Sequence, residues 1–320
     1  YEALIDELSA DFINVDEVSM VDMHLAYEFF YKVKAGARVL LVGDVHQLPS
    51  VGAGNVLGDL IDSGYVYTSR LTEIFRQSQE SSIIVNAHLI RKGQYPVYGG
   101  DFEIVRADKQ ADILEQIVRL ASSMDLDRVQ VLTPVKKGIL GSGNLNVKLQ
   151  EKFNPAQTGR EQIEFGNTVF RTGDRVMQIK NNYRLEYKKQ DGTSGKGVFN
   201  GETGIVTAVH SKEQRLTVCY DGERWVEYEY IHLDEIELAY AVTIHKSQGS
   251  EFEAVVMPMY PGPRQLYYRN LLYTGVTRAK NLLVMVGTPK TVERMVENNR
   301  KTKRYTGLCY FLLRAAEEAE

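Results

Sequence analysis

The loop Gly43 to Gly54, reading GDVHQLPSVGAG, constrains this chain more than any other stretch. It leaves the apolar run Arg38-Val-Leu-Leu-Val42, which has the length and composition of a buried parallel strand. An earlier run, Asp11-Phe-Ile-Asn-Val15, reads the same way and ends in the acidic pair Asp16-Glu17. Two buried strands that each deliver polar residues at the carboxyl end predict an open α/β sheet with its site along that edge. The acids suit a magnesium ion, held by Asp16 through water, and an attacking water positioned by Glu17. An acidic pair at a strand end also serves as a helix N-cap. Gln47 suits a sensor between this site and a more distant one.

A chain of 320 residues is long enough for two or three domains and a sizeable core. A net charge of −4 argues against general coating of nucleic acid and is compatible with a local basic groove. Cys219 and Cys309 lie far apart without metal-ligand spacing, and the six histidines are scattered. These features point to a reducing cytoplasm and no structural zinc. No stretch is long and apolar enough to span a membrane.

Along the chain, Glu2 to Leu8 reads as the end of a helix, Val21 to Val33 as a helix, and Val56 to Ile61 as a short helix ended by Gly64. Residues 1–64 form a first α/β unit with two strands. A short strand before Arg76 and a helix Ser82 to Arg91 closed by Gly93 open a second α/β layer. Strand–helix alternation through Val129–Leu132 and Leu145–Lys152 continues it. From Thr168 the pattern turns to short β-rich runs with turns at Asn200-Gly201 and Asp221-Gly222, a small antiparallel barrel or meander. Asn181 to Gly197 is polar and lysine-bearing and reads as a mobile loop within it. After Leu238 the α/β pattern returns.

Further stretches carry chemistry. Thr133-Pro134 sits at a strand end, where hydroxyl and backbone N–H groups commonly hold phosphates. In Ala241-Val-Thr-Ile-His-Lys-Ser-Gln-Gly-Ser-Glu251, Thr243, His245 and Lys246 offer donors that suit DNA phosphates. Gly249 permits close backbone approach and Glu251 can accept from a ribose hydroxyl. Alone, His245 also reads as a satisfied structural histidine, and Arg76 as a solvated surface charge. Tyr273-Thr-Gly-Val-Thr-Arg-Ala-Lys280 reads, on its own residues, as an amphipathic helix ending in basic residues that favour its dipole.

Taken in order, DEVSM, GDVHQLPSVGAG, the IFRQ region with NAHLI, TPVKKG, AYAVTIHKSQGSEF and YTGVTRAK resemble the motif series of superfamily 1 DNA helicases, specifically the RecD-like branch that moves 5′ to 3′ on single-stranded DNA. The resemblance implies RecA-like (P-loop NTPase-type) parallel sheets, one partial and one complete, with an inserted small SH3-like β-barrel. It implies domains at 1–64, at 65–165 with 232–320, and a barrel at 166–231. Asp16-Glu17 becomes the Walker-B pair, Gln47 the link between the nucleotide and the DNA groove, and Arg76 and Arg278 the arginines that reach the γ-phosphate. On this reading Arg278 is a finger extended into a cleft and contributes little to a core. Gly249 and Glu251 fall to ATP, and Thr133, Pro134, Thr243, His245 and Lys246 to DNA. ATP, Mg²⁺, single-stranded DNA and its junctions with duplex are the implied ligands, in DNA repair or recombination.

One element of the series is missing from these 320 residues. Nothing fits G-x-x-x-x-G-K-[ST], the loop that cradles phosphates. Gly192-Thr-Ser-Gly-Lys-Gly197 has the wrong spacing and reads as a flexible loop. The expectation is therefore a fragment that lacks the N-terminal, Walker-A part of its parent and is inactive alone. A non-enzymatic single-strand binding module and a protein-interaction remnant are the other readings. The joint presence of Glu17, Gln47 and Arg278 favours an enzyme origin.

Overall fold

The computed structural model describes residues 7–71, 81–299, 304 and 306–318. Arg76 and most of the strand expected before it lie outside the described residues, as do Glu2 to Asp6. Leu8 forms a parallel bridge with Val33.

Strands β1 (Phe12–Val15) and β2 (Arg38–Leu41) pair in parallel, with Val15 opposite Leu41. Helix α1 (Met23–Lys32) connects them and starts where Asp22 accepts the Leu25 amide at 2.9 Å. Helix α2 (Val56–Ser63) follows the long loop and ends at Gly64, whose φ of 66° closes it in the left-handed region.

Helix α3 (Ser82–Arg91) opens the second unit, followed by β3 (Phe102–Arg106), α4 (Gln110–Ser122), β4 (Val129–Thr133) and α5 (Ser142–Phe153). A β-rich segment then runs through β5 (Gln162–Phe165), β6 (Thr168–Arg171), β7 (Arg175–Gln178), β8 (Asn182–Lys189), β9 (Ser194–Val198), β10 (Thr203–His210), β11 (Arg215–Tyr220), β12 (Arg224–Glu229) and β13 (Ile236–Leu238). The chain returns through β14 (Ala241–Thr243), β15 (Phe252–Met259), α6 (Arg269–Val276), β16 (Ala279–Gly287), α7 (Pro289–Glu297) and α8 (Leu308–Glu317).

The order β14-β4-β15-β16-β3 makes a wholly parallel five-stranded sheet. Its apolar runs serve two cores by alternation, because successive side chains leave opposite faces. Val131, Val256 and Val284 face the core shared with α4, α5 and the β-rich segment. Leu132, Val255 and Leu283 face the core built by α3, α6 and α7. Leu48, from the loop after β2, is fully buried in this second core.

The β-rich segment is a hairpin (β5–β6) and a seven-stranded sheet ordered β13-β7-β10-β11-β12-β8-β9, antiparallel throughout. It is seated on α5 by the buried carboxylate of Asp174. That group accepts from Gln150 (2.6 Å), Asn154 (2.7 Å) and the Tyr240 hydroxyl (2.9 Å). Burial raises its pKa, and these hydrogen bonds oppose the rise.

Asn181 to Gly197 is not a loop. β8 and β9 form a hairpin across a turn at Asp191-Gly192, where Gly192 has φ +84° and the Asp191 carboxylate accepts the Thr193 amide at 2.9 Å. Its exposed strands carry polar side chains such as the Lys196–Glu186 pair at 2.9 Å, so no hydrophobic alternation marks them. Among the described residues no helix is long and apolar enough to cross a membrane.

Candidate functional site

Because β1 and β2 run in register, Asp16-Glu17 and Gly43-Asp44 leave the first sheet side by side. The Val18 amide donates to the Val42 carbonyl at 2.9 Å across this edge. Gly43 permits a close approach here: a Cβ would come within 2.9 Å of Leu57 and 3.0 Å of the Ser19 amide. Asp16 is exposed and accepts the Glu17 amide at 2.7 Å. Glu17 has φ 53° and ψ 38°, a left-handed conformation uncommon for a residue with a side chain. Such outliers concentrate at functional sites.

The loop that follows is held by the second unit at several points. Tyr273 on α6 donates its hydroxyl to Asp44 at 2.7 Å. The Leu48 amide donates to the Thr274 hydroxyl at 2.9 Å, and the Leu48 carbonyl accepts from Gln248 at 2.9 Å. Asn270 donates to the Gln47 carbonyl at 3.3 Å. Further along, Arg304 donates to the carbonyls of Gly52 (2.7 Å) and Gly54 (2.9 Å). The Gln47 side-chain oxygen is buried with no hydrogen-bond partner among the described residues. Burial, then the charge of Asp44, pushes the Tyr273 phenol well above its ordinary pKa.

Arg278 lies just beyond α6 and before β16. It is 4% exposed, which corrects the picture of a finger extended into a cleft. Its guanidinium donates to the Thr274 carbonyl (3.3 Å), the Ser250 carbonyl (2.9 Å) and the Thr277 hydroxyl (3.3 Å). Burial lowers its pKa, while the charges of Glu17, Glu251, Tyr273 and Asp44 oppose that shift. The acid of the first unit and the arginine of the second therefore share one electrostatic neighbourhood. Glu251 is exposed and pairs with Lys280 at 3.3 Å. Gly249 adopts φ +76° with open space around it, so its backbone angle rather than crowding calls for glycine.

Among the described residues no three His, Cys, Asp or Glu side chains cluster as a metal cage. The available donor is the exposed Asp16 carboxylate with Glu17 beside it. That set fits Mg²⁺, which takes one or two carboxylates and completes its shell with water and phosphate oxygens.

A second set of residues lies at the carboxyl edge of the five-stranded sheet, where Thr133 is directly opposite Thr243. Thr133 is fully buried and donates its hydroxyl to the Leu140 carbonyl at 2.7 Å, so this group closes the loop rather than facing outward. Pro134 is buried, and Thr243 and His245 are half-buried. Burial lowers the His245 pKa, so the ring is neutral at neutral pH. Lys246 pairs with Glu237 of β13. Lys136 pairs with the same glutamate at 3.2 Å.

Sequence reasoning assigned no role to Asp44, Thr274, Asn270, Tyr273 or Glu237. Asp44 and Tyr273 stood inside the quoted strings, but their partnership spans the chain from one unit to the other. Periodicity carries no signal for such a contact.

Residues 145–220 match the family described as ATP-dependent RecD-like DNA helicase SH3 domain. Residues 238–286 match the UvrD-like helicase C-terminal domain, and residues 5–119 an AAA domain. The ATP-dependent RecD2 DNA helicase of Deinococcus radiodurans is 35% identical over 296 residues, 92% of this chain and 38% of that protein. The RecBCD enzyme subunit RecD of Mycobacterium tuberculosis is 28% identical over 327 residues, 95% of this chain and 53% of that protein. The chain thus spans less than two thirds of either relative. The fold is shared with a Bacteroides Pif1 helicase crystallised with ADP-AlF3 and single-stranded DNA. The TM-score is 0.53 at 20% identity, over 97% of this chain and 76% of that one.

Proposed function

This chain belongs to the RecD-like branch of the superfamily 1 helicases, and from that premise we propose that it serves an ATP-dependent helicase moving 5′ to 3′ on single-stranded DNA. On this reading the parent protein unwinds duplex at single-strand junctions, in DNA repair or recombination. Domain divisions at 1–64, at 65–165 with 232–320, and at 166–231 are part of the same proposal, with the β-rich unit extended to 162–238 because β5 pairs with β6 and β13 pairs with β7. Mg²⁺ and ATP, when bound, supply the phosphoanhydride and neutralise its charge.

Asp16 would hold the metal, and Glu17 would position or deprotonate the attacking water. Arg278, together with Arg76, stabilises charge on the transferred phosphoryl, while Gly249 and Glu251 bound the nucleotide. Thr243, His245 and Lys246 hold the strand by its phosphates, and Thr133 and Pro134 shape the loop beside them. Gln47 passes the state of one site to the other.

One observation carries this reading: the loop after β2 is bonded to α6 through Asp44–Tyr273, Leu48–Thr274 and Gln47–Asn270. A loop that begins at the acidic edge and is bonded to the helix that leads into Arg278 ties hydrolysis to movement of the two units. The 320 residues on their own, which hold no G-x-x-x-x-G-K-[ST] string, are expected to bind ATP weakly and not to unwind DNA.

The test is steady-state ATPase and unwinding by the full-length protein. Single-stranded DNA should stimulate hydrolysis, and a 5′-tailed duplex should be opened while a 3′-tailed one is not. Gln47→Ala should keep part of the basal ATPase and lose its stimulation. Unwinding restricted to 3′ tails, or an ATPase indifferent to DNA, overturns the assignment.

A further inference from the structure

Three charged side chains from three elements meet at the junction of the five-stranded sheet and the β-rich segment. Lys136 follows Thr133 by three residues and Lys246 follows Thr243 by three. The pairing of Thr133 with Thr243 therefore sends both lysines off the sheet at one level. Each ammonium takes a different oxygen of Glu237, Lys136 at Oε2 (3.2 Å) and Lys246 at Oε1. Glu237 is fixed between the buried Ile236 and Leu238 of β13. The backbone beside it is pinned by Asn146, which donates to the carbonyls of Leu238 (2.8 Å) and Ala241 (2.9 Å).

We propose that Lys136 and Lys246 form the seat for one backbone phosphate of a bound strand, and that the Glu237 carboxylate occupies this seat until the phosphate displaces it. A carboxylate that offers one oxygen to each of two ammoniums imitates the two non-bridging oxygens of a phosphodiester. Two cations against one carboxylate leave the cluster net positive. The Lys246 and Glu237 side chains are about one quarter exposed and Lys136 is 64% exposed, so the pairs are partly hydrated, weak and exchangeable. Glu237 then sets affinity from the β-rich segment: it keeps the lysines aligned and makes each incoming phosphate compete for them.

The proposal rests on the nucleic-acid reading above, and its test separates the two. Binding of a fluorescent oligothymidylate to the full-length protein is measured over a series of salt concentrations. Lys136→Ala and Lys246→Ala should each weaken binding and lower the log–log salt slope, and the double variant should lower it by about 0.7 in all, one phosphate's worth on a single strand. Glu237→Gln should tighten binding about 3- to 10-fold, the gain from removing a competing anion at a partly exposed site. Unchanged or weaker binding by Glu237→Gln makes the glutamate a mere aligner and overturns the proposal. Unchanged slopes in both lysine variants, with binding otherwise intact, place the phosphate elsewhere and overturn it while the helicase reading stands. Failure of the unaltered protein to bind the oligonucleotide overturns both.

Discussion

The Tyr273 hydroxyl donates to the Asp44 carboxylate at 2.7 Å and joins a helix of the second unit to the strand-end loop of the first. The phenol is half-buried, and its pKa is raised, so it remains a donor across the working pH range. Tyr273→Phe removes only that donor. A hydrogen bond to a charged group contributes roughly 1.5–3 kcal/mol. Stimulation of ATPase by DNA should fall about tenfold or more, with KM for ATP little changed, in steady-state assays with and without oligonucleotide.

Arg278→Ala should lower kcat by roughly 10³, the scale of an arginine finger, with a far smaller effect on ATP binding. Because the guanidinium is buried and holds the Ser250 and Thr274 carbonyls, the same variant should also melt several degrees earlier. An alanine enzyme with near-normal kcat would refute the role of that arginine. Unchanged melting would refute its structural share.

Thr133→Val should act through the loop it closes. Losing the bond to the Leu140 carbonyl costs about 1–3 kcal/mol when the acceptor is left buried and unpaired. Thr133→Ser keeps the hydroxyl and should restore both stability and DNA affinity. Denaturant unfolding and strand binding measured together decide between this positioning role and a direct phosphate contact, which would leave stability unchanged in the valine variant.

Acid should weaken the fold through His245. Its pKa in the folded chain is lowered from 6.5 by burial, so between the two values the unfolded chain binds more protons. The contribution is complete above about pH 6.5 and is lost as pH falls through the depressed folded value. His88 is shifted in the same direction, so the informative comparison is His245→Gln against the unaltered protein. The variant should show a flatter decline of melting temperature below pH 6.5, and an identical decline would exclude the effect.

Strands β4, β15 and β16 were legible because both faces of their sheet are covered, which leaves their runs largely apolar. Strands β1 and β2 also read as buried, yet they form a two-stranded sheet in which Phe12 and Leu40 are exposed. Helix α3 was legible too, with a serine before it and Gly93 (φ +78°) after it. The β8–β9 hairpin was not, since only Leu185, Gly197 and Val198 of its two strands are buried and the rest reads as polar loop. Arg278 stood in a recognisable string, yet its burial depends on a carbonyl at Ser250, which no spacing along the chain announces. The Thr133 hydroxyl looked available for a phosphate until its partner seven residues on was visible.

Leu48 is covalently part of the stretch that begins with the first pair of strands, yet its side chain is fully enclosed by the core of the second unit. Covalent order and cooperative order therefore part company at this residue. Its amide, bonded to Thr274, belongs to the melting unit of the five-stranded sheet and should exchange with solvent at that sheet's slow rate, while amides of β1 exchange with their own unit. What moves with the acids and what moves with the arginine is decided at Leu48, some residues before the chain itself crosses over.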